Sequence, residues 1–172
     1  TTTALMHVAA MEDDNLLFKQ VNFSSMTLPG QFQNNIESEL EKRGGKSFGP
    51  PQGKKILFFL DDVSMPNINS WGDQPTLECV RQLVETSGVC FLDKDRRGDI
   101  KTCEDLLYIG AMAHPGGGKN DIPSRLKRHF LVFNLILPSI TSINDIYGQM
   151  LQGRFTAEGG FDAGCLDVVG KL

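Results

Sequence analysis

ILFFLDD, residues 56–62, is the stretch that decides the fold. Five consecutive apolar residues leave no polar face. The segment therefore reads as a strand buried on both faces, and such strands belong to parallel sheets. Asp61 and Asp62 follow at its C-terminal end, the edge at which open α/β sheets bind ligands.

Working outward, Lys55 is preceded by loop chemistry in Gly49-Pro50-Pro51-Gln52-Gly53. Phe32, Ile36 and Leu40 recur at intervals of four, which predicts an amphipathic helix that stops before Gly44-Gly45. Residues 24–30 read as a loop and residues 16–23 as a strand. Leu5, Val8 and Met11 lie at helical spacing after a run of threonines, and Glu12-Asp13-Asp14-Asn15 ends that helix.

Downstream, Leu77, Val80, Leu83 and Val84 predict a helix closed near Gly88. Residues 89–92 and 100–102 flank a charged stretch, 93–99, as the arms of a surface hairpin. Residues 106–112 form an apolar strand, ended by His114-Pro115 and three glycines. A short basic helix is expected at 123–129, a last buried strand at 130–137, and a last helix at 142–151 after Pro138. The tail from 153 to 172 is Gly-rich and ends without an evident cap. Strands alternating with helices indicate an α/β fold with a mainly parallel sheet flanked by helices. There is no internal repeat and no low-complexity tract.

With 172 residues and 40% hydrophobic content, the chain has apolar material for one domain-sized core. A net charge of −4 exerts no overall pull toward nucleic acid or an anionic membrane, so neither is expected as a partner. No apolar run is long enough to span a bilayer, and the start TTTALMHVAAMEDD lacks a basic leader region, so a soluble protein is expected. Cys79, Cys90, Cys103 and Cys165 show no CxxC pairing, which fits reduced thiols in the cytosol. His7, His114 and His129 are scattered singly, which argues against a zinc site.

The two aspartates carry the chemistry. In a Walker B strand the first acid holds the water shell of Mg²⁺, a hard oxygen-seeking cation, and the second orients or deprotonates the attacking water. The competing reading is a pair of acids that cap a loop or the next helix. The dipeptide by itself leaves both open. A phosphate loop of the form GxxxxGK[ST] should accompany a Walker B strand. Gly45-Lys46-Ser47 has the right ending, but the motif's first position is Leu40 and a helix precedes it. Gly116-Gly117-Gly118-Lys119 continues into Asn120, which has no hydroxyl for a metal. Both read as flexible connections.

Six segments then add up: NFSSMT (22–27), FQNNIESELEKR (32–43), FGPPQGKK (48–55), LDDVSMP (60–66), WGDQPTLECVRQL (71–83) and AMAHPGGGKNDIPSRLKRHFLVFN (111–134). In that order they resemble the third AAA+ module of axonemal dynein heavy chains, most closely the outer-arm type. The match covers residues 22–149, far more than any single motif.

The resemblance implies a P-loop NTPase AAA+ large subdomain over residues 1–152, with 153–172 starting a linker or small helical lid. It implies that the first strand and the phosphate loop are missing, that the visible strands flank a gap, and that Thr1 matches the Walker A hydroxyl that binds magnesium. On that boundary the isolated chain is expected not to bind ATP usefully or be active, and to fold poorly unless another strand fills the gap. Asp61 corresponds to the Walker B magnesium acid. Asp62 stands where most active modules carry glutamate, one methylene longer, so its reach to a water is shortened. His114 falls near the sensor-one position, usually Asn; the bland alternative is a histidine ending a strand beside proline. Arg125, with Arg128 close behind, lies where related modules send an arginine finger to the neighbouring nucleotide; the alternative is a solvated basic helix face.

ATP and Mg²⁺ are the implied cofactors. The implied parent is an ATP-driven microtubule motor of the cilium or flagellum axoneme, with neighbouring AAA+ modules, microtubules and dynein intermediate and light chains as partners. Its location would be the cytoplasm and cytoskeleton. In the ring this module is expected to regulate rather than drive the main power stroke. A nucleotide-binding or structural ring module without turnover is the second reading. An unrelated cytosolic α/β metal-dependent hydrolase is the third.

Overall fold

The computed structural model describes residues 1–11, 13–96 and 98–171. Glu12, expected in the stop of the first helix, Arg97 of the charged 93–99 stretch and Leu172 at the end of the tail lie outside the described residues. The chain packs as two compact units, Thr1–Leu131 and Val132–Leu172.

In the first unit, α1 (Thr2–Ala9) leads to β1 (Leu16–Asn22), then α2 (Pro29–Glu37), β2 (Glu41–Gly44), β3 (Ser47–Gly49) and β4 (Lys55–Asp61). There follow α3 (Pro75–Thr86), β5 (Gly88–Cys90), β6 (Ile100–Cys103), β7 (Leu106–Gly110) and α4 (Ser124–Lys127). β4 is the inner strand of a three-stranded sheet of order β1-β4-β7, parallel to both neighbours. Its apolar run is buried on both faces as the sequence requires: Phe58 and Phe59 are each 0% exposed, and Ile56 and Leu60 nearly so. Fully burying one such side chain is worth roughly 1.5–3 kcal/mol, so this strand contributes substantially to the unit's apolar stabilisation.

α2 and α3 supply the rest of that core. Phe32 and Ile36 from α2 join Leu77, Val80 and Leu83 from α3, at the i, i+3, i+4 spacing that lines one helix face, around Phe58, Val21 and Phe23. Phe23 stacks on Phe32 with ring centroids 5.7 Å apart. α2 begins with Pro29 at its first position, and Gln31 Oε1 accepts the Leu28 amide at 2.9 Å.

Several expectations are corrected. The expected gap does not lie between β1, β4 and β7, which are direct hydrogen-bonded neighbours, so any further strand has to add at an edge of these three. The amphipathic helix ends at Glu37, not before Gly44, because residues 41–44 pair with β3 instead. Leu40 still packs against the core, so its spacing reported burial rather than helix. The expected hairpin of β5 and β6 is present, but β6 also pairs in parallel with β3, building a second sheet of order β2-β3-β6-β5.

Residues 130–137 form no strand. Leu131, Val132, Phe133, Leu135, Ile136 and Leu137 are all exposed, Leu137 by 90%. A strand needs a neighbour for its backbone groups, and among the described residues none pairs with this segment.

The second unit is helical. α5 (Ile140–Ile143), one π-helical turn (Asn144–Gly148) and α6 (Gln149–Arg154) run on from each other, and α7 (Ala163–Lys171) follows. Ser139 Oγ caps the first of these by accepting the Ser142 amide at 3.1 Å. The Gly-rich tail carries α7. Asp162 marks its start, with Oδ1 accepting the Cys165 amide at 2.7 Å, and Phe155 and Phe161 meet edge to face at 4.8 Å.

Candidate functional site

The site is built on the C-terminal ends of β1 and β4. Parallel pairing sets Asn22 opposite Asp61, and the Phe23 amide donates to the Asp61 carbonyl at 2.9 Å. β4 is also held from the β7 side, where the Ala111 amide donates to the Leu60 carbonyl at 2.8 Å and the Val63 amide to the Ala111 carbonyl at 3.1 Å. The backbone on either side of the acids is therefore fixed by both neighbouring strands.

Asp61 gathers polar groups. The Thr1 hydroxyl donates to its Oδ1 at 2.8 Å, across 60 residues of sequence, and the Asp62 amide donates to the same oxygen at 3.1 Å. Gln20 Nε2 reaches its Oδ2 at 3.4 Å and the Asn22 side-chain oxygen at 2.8 Å. A carboxylate and a hydroxyl in contact form a hard, all-oxygen donor pair of the kind Mg²⁺ accepts, with water completing its shell.

Asp62 turns away from regular strand geometry. Its φ of 55° is left-handed, a region that Asp and Asn tolerate better than longer side chains. Its carboxylate faces Lys119, whose Nζ lies 3.8 Å from Oδ1.

The other sequence candidates lie apart from this pair. His114 sits on an exposed loop four residues beyond β7, and among the described residues no hydrogen bond or ion pair joins it to either acid. Arg125 and Arg128 flank Leu126, which is 1% exposed and anchors α4 in the core. Both arginines are outward and meet acids of α3: Arg125 Nε lies 3.6 Å from Glu78 Oε1, and Arg128 Nη2 lies 2.8 Å from Glu85 Oε1. Arg81 bridges the same two glutamates, and His129 Nε2 lies 3.8 Å from Glu85. Desolvation works to raise the Glu85 carboxyl, but the charges of Arg81, Arg128 and His129 outweigh it and hold the group below the ordinary carboxylate range.

Gln20, Asn22, Lys119 and Asn120 are members of this neighbourhood that sequence reasoning did not single out as site residues. The period of two along β1 was the available signal for the first pair, since it sets Gln20 and Asn22 on one face beside Asp61. For Lys119 and Asn120 no local pattern carries the information.

Comparison with known proteins adds a family. Residues 1–138 match the model of the P-loop containing dynein motor region. The chain is 48% identical over 169 residues to the dynein gamma chain of the flagellar outer arm of Chlamydomonas reinhardtii, covering 98% of this chain and 4% of the relative. It is 46% identical over 165 residues to axonemal dynein heavy chain 5 of Mus musculus, covering 96% of this chain and 4% of that relative. With axonemal dynein heavy chain 8 of the same organism it shares 52% identity over 156 residues, 91% of this chain and 3% of the relative. The chain thus spans a few hundredths of the length of these relatives.

Proposed function

The chain belongs to the dynein heavy-chain family, within its P-loop motor region, and on that premise we propose that it is the Walker B half of an AAA+ ATPase module. Residues 1–152 are read as the large α/β subdomain and 153–172 as the start of the lid. The parent is an ATP-driven microtubule motor of the axoneme, in the cytoskeleton of cilia and flagella. Its partners are neighbouring AAA+ modules, microtubules and, through the parent, intermediate and light chains.

One observation carries the reading. At the C-terminal edge of the central parallel strand, a threonine at the head of α1 touches the first of two aspartates, Thr1 Oγ1 to Asp61 Oδ1 at 2.8 Å. An Mg²⁺ ion, if bound with ATP, supplies charge neutralisation for the phosphates, and Thr1 and Asp61 are the residues that would hold it. Gln20 orients the second Asp61 oxygen through its amide. Asp62 takes the role of base toward the attacking water, and Arg125 or Arg128 acts in trans, leaving Glu78 or Glu85 to meet a phosphate bound by the neighbouring module.

A second reading, nucleotide binding without turnover, is favoured by the conformation of Asp62 and by the exposed position of His114. Membership of the dynein family speaks against an unrelated metal-dependent hydrolase.

The test is Asp61→Asn in the parent heavy chain, with nucleotide occupancy of this module read by photoaffinity labelling and peptide mapping. Magnesium-dependent labelling here is expected to fall while other modules keep theirs. Unchanged labelling, or labelling that never depended on magnesium, refutes the assignment.

A further inference from the structure

The glycine turn after β7, read from sequence as a flexible connection, is a built piece of the acid site. Gly116, Gly117 and Gly118 have φ of 126°, 59° and 85°, a path that side chains adopt only with strain. The turn closes on itself, with the Gly116 amide donating to the Lys119 carbonyl at 3.0 Å and the Lys119 amide returning to the Gly116 carbonyl at 3.1 Å. Asn120 then clamps it to the segment after β4. Its amide donates to the Ser64 carbonyl at 2.9 Å, and its side-chain nitrogen donates to the Pro66 carbonyl at 2.9 Å.

Ser64 belongs to the turn that Asp62 itself opens, closed by the Met65 amide on the Asp62 carbonyl at 2.9 Å, and Pro66 follows that turn directly. The turn bearing Asp62 and the turn bearing Lys119 are therefore one hydrogen-bonded unit. Within it the Lys119 ammonium lies 3.8 Å from the Asp62 carboxylate, with side chains 36% and 51% exposed. An ion pair that open to water adds little to folding stability. Two anchored turns converging on it serve orientation instead.

We propose that Lys119 is a positioning residue for Asp62: the clamped glycine turn holds its ammonium against the carboxylate and so sets the direction in which the second acid faces the bound nucleotide. The inference rests on the ATPase reading above. It differs from a direct phosphate contact, in which Lys119 would contribute to nucleotide affinity. It also differs from a structural role, because a lysine that only held the turn would be replaceable by any side chain of similar length.

The experiment uses the full heavy chain carrying Lys119→Met, Lys119→Arg, Asp62→Asn or the pair Asp62→Asn with Lys119→Met. Asn accepts the left-handed backbone at position 62, so that variant keeps the local path. Nucleotide affinity at this module is read by photoaffinity titration and its turnover by single-turnover hydrolysis. Lys119→Met is expected to lower turnover about tenfold with affinity within about twofold, Lys119→Arg to restore most of the rate, and Lys119→Met to add nothing in the Asp62→Asn background. Affinity falling in step with rate, independent effects in the double variant, or no effect of Lys119→Met beside a clear effect of Asp62→Asn each overturn the proposal alone. If Asp62→Asn leaves this module's turnover unchanged, or the module binds no nucleotide, the ATPase reading fails and this inference falls with it.

Discussion

Replacing Phe58 by alanine tests whether β4 is the strand on which the first unit depends. Phe58 is 0% exposed, stacks on Tyr108 with ring centroids 6.3 Å apart, and sits in the core lined by α2 and α3. β4 is hydrogen-bonded along both edges, so the backbone cannot close into the space left behind. A buried Phe→Ala change costs about 3–5 kcal/mol, and a site that cannot collapse belongs at the upper end of that range. Domains of this size are stable by only about 5–15 kcal/mol, so most of the margin is at stake. Phe18 provides the control, because it lies on the adjacent strand but is 43% exposed. Its truncation should cost about 1 kcal/mol, in proportion to the apolar area it buries. Urea unfolding followed by circular dichroism reads the difference. With a slope near 2 kcal/mol per molar, Phe58→Ala should lower the midpoint by about 2.5 M and Phe18→Ala by about 0.5 M. Equal midpoints for the two variants would refute the placement of β4 at the centre of the core.

Three further outcomes are expected. In the parent ring, Arg125→Ala should slow turnover at the preceding module while nucleotide binding here stays nearly intact; equal defects at both modules, or none, in site-resolved assays would return Arg125 to a solvated helix face. Ser64 is 0% exposed and its hydroxyl has no hydrogen-bond partner among the described residues, so Ser64→Ala should stabilise the fold by about 1 kcal/mol in the same urea assay, and a loss would show that the hydroxyl is bonded. Burial, with the charge of Glu37 adding and that of Lys101 opposing, pushes the Cys103 thiol up to about 11. At pH 8 about one thiol in a thousand is then ionised, so alkylation of Cys103 followed by mass spectrometry should be at least about a hundredfold slower in the folded chain than in urea, and should quicken as pH rises toward the thiol's value. Equal rates would place Cys103 outside the core.

The sequence by itself was enough for every element whose identity is encoded in burial. The unbroken apolar run of 56–60 reads as a strand covered on both faces, as β4 is, and Asp61 and Asp62 are then carried to its C-terminal edge. The i, i+3, i+4 rows of α2 and α3, the hairpin arms of β5 and β6 and the strand β7 followed from the same periodicity. Periodicity reports which side chains leave water, but not which backbone pairs with which. For that reason Leu40 looked helical although residues 41–44 pair with β3, and the apolar run 130–137 looked like a strand although among the described residues no neighbour offers it a ladder. The same limit held at the site. Thr1 could be matched to Asp61 by motif register, but only the tertiary fold sets its hydroxyl 2.8 Å from that carboxylate. The left-handed turn at Asp62 and the approach of Lys119 arise where two loops from different parts of the chain bond to each other, and contacts of that kind leave no period in the sequence to read.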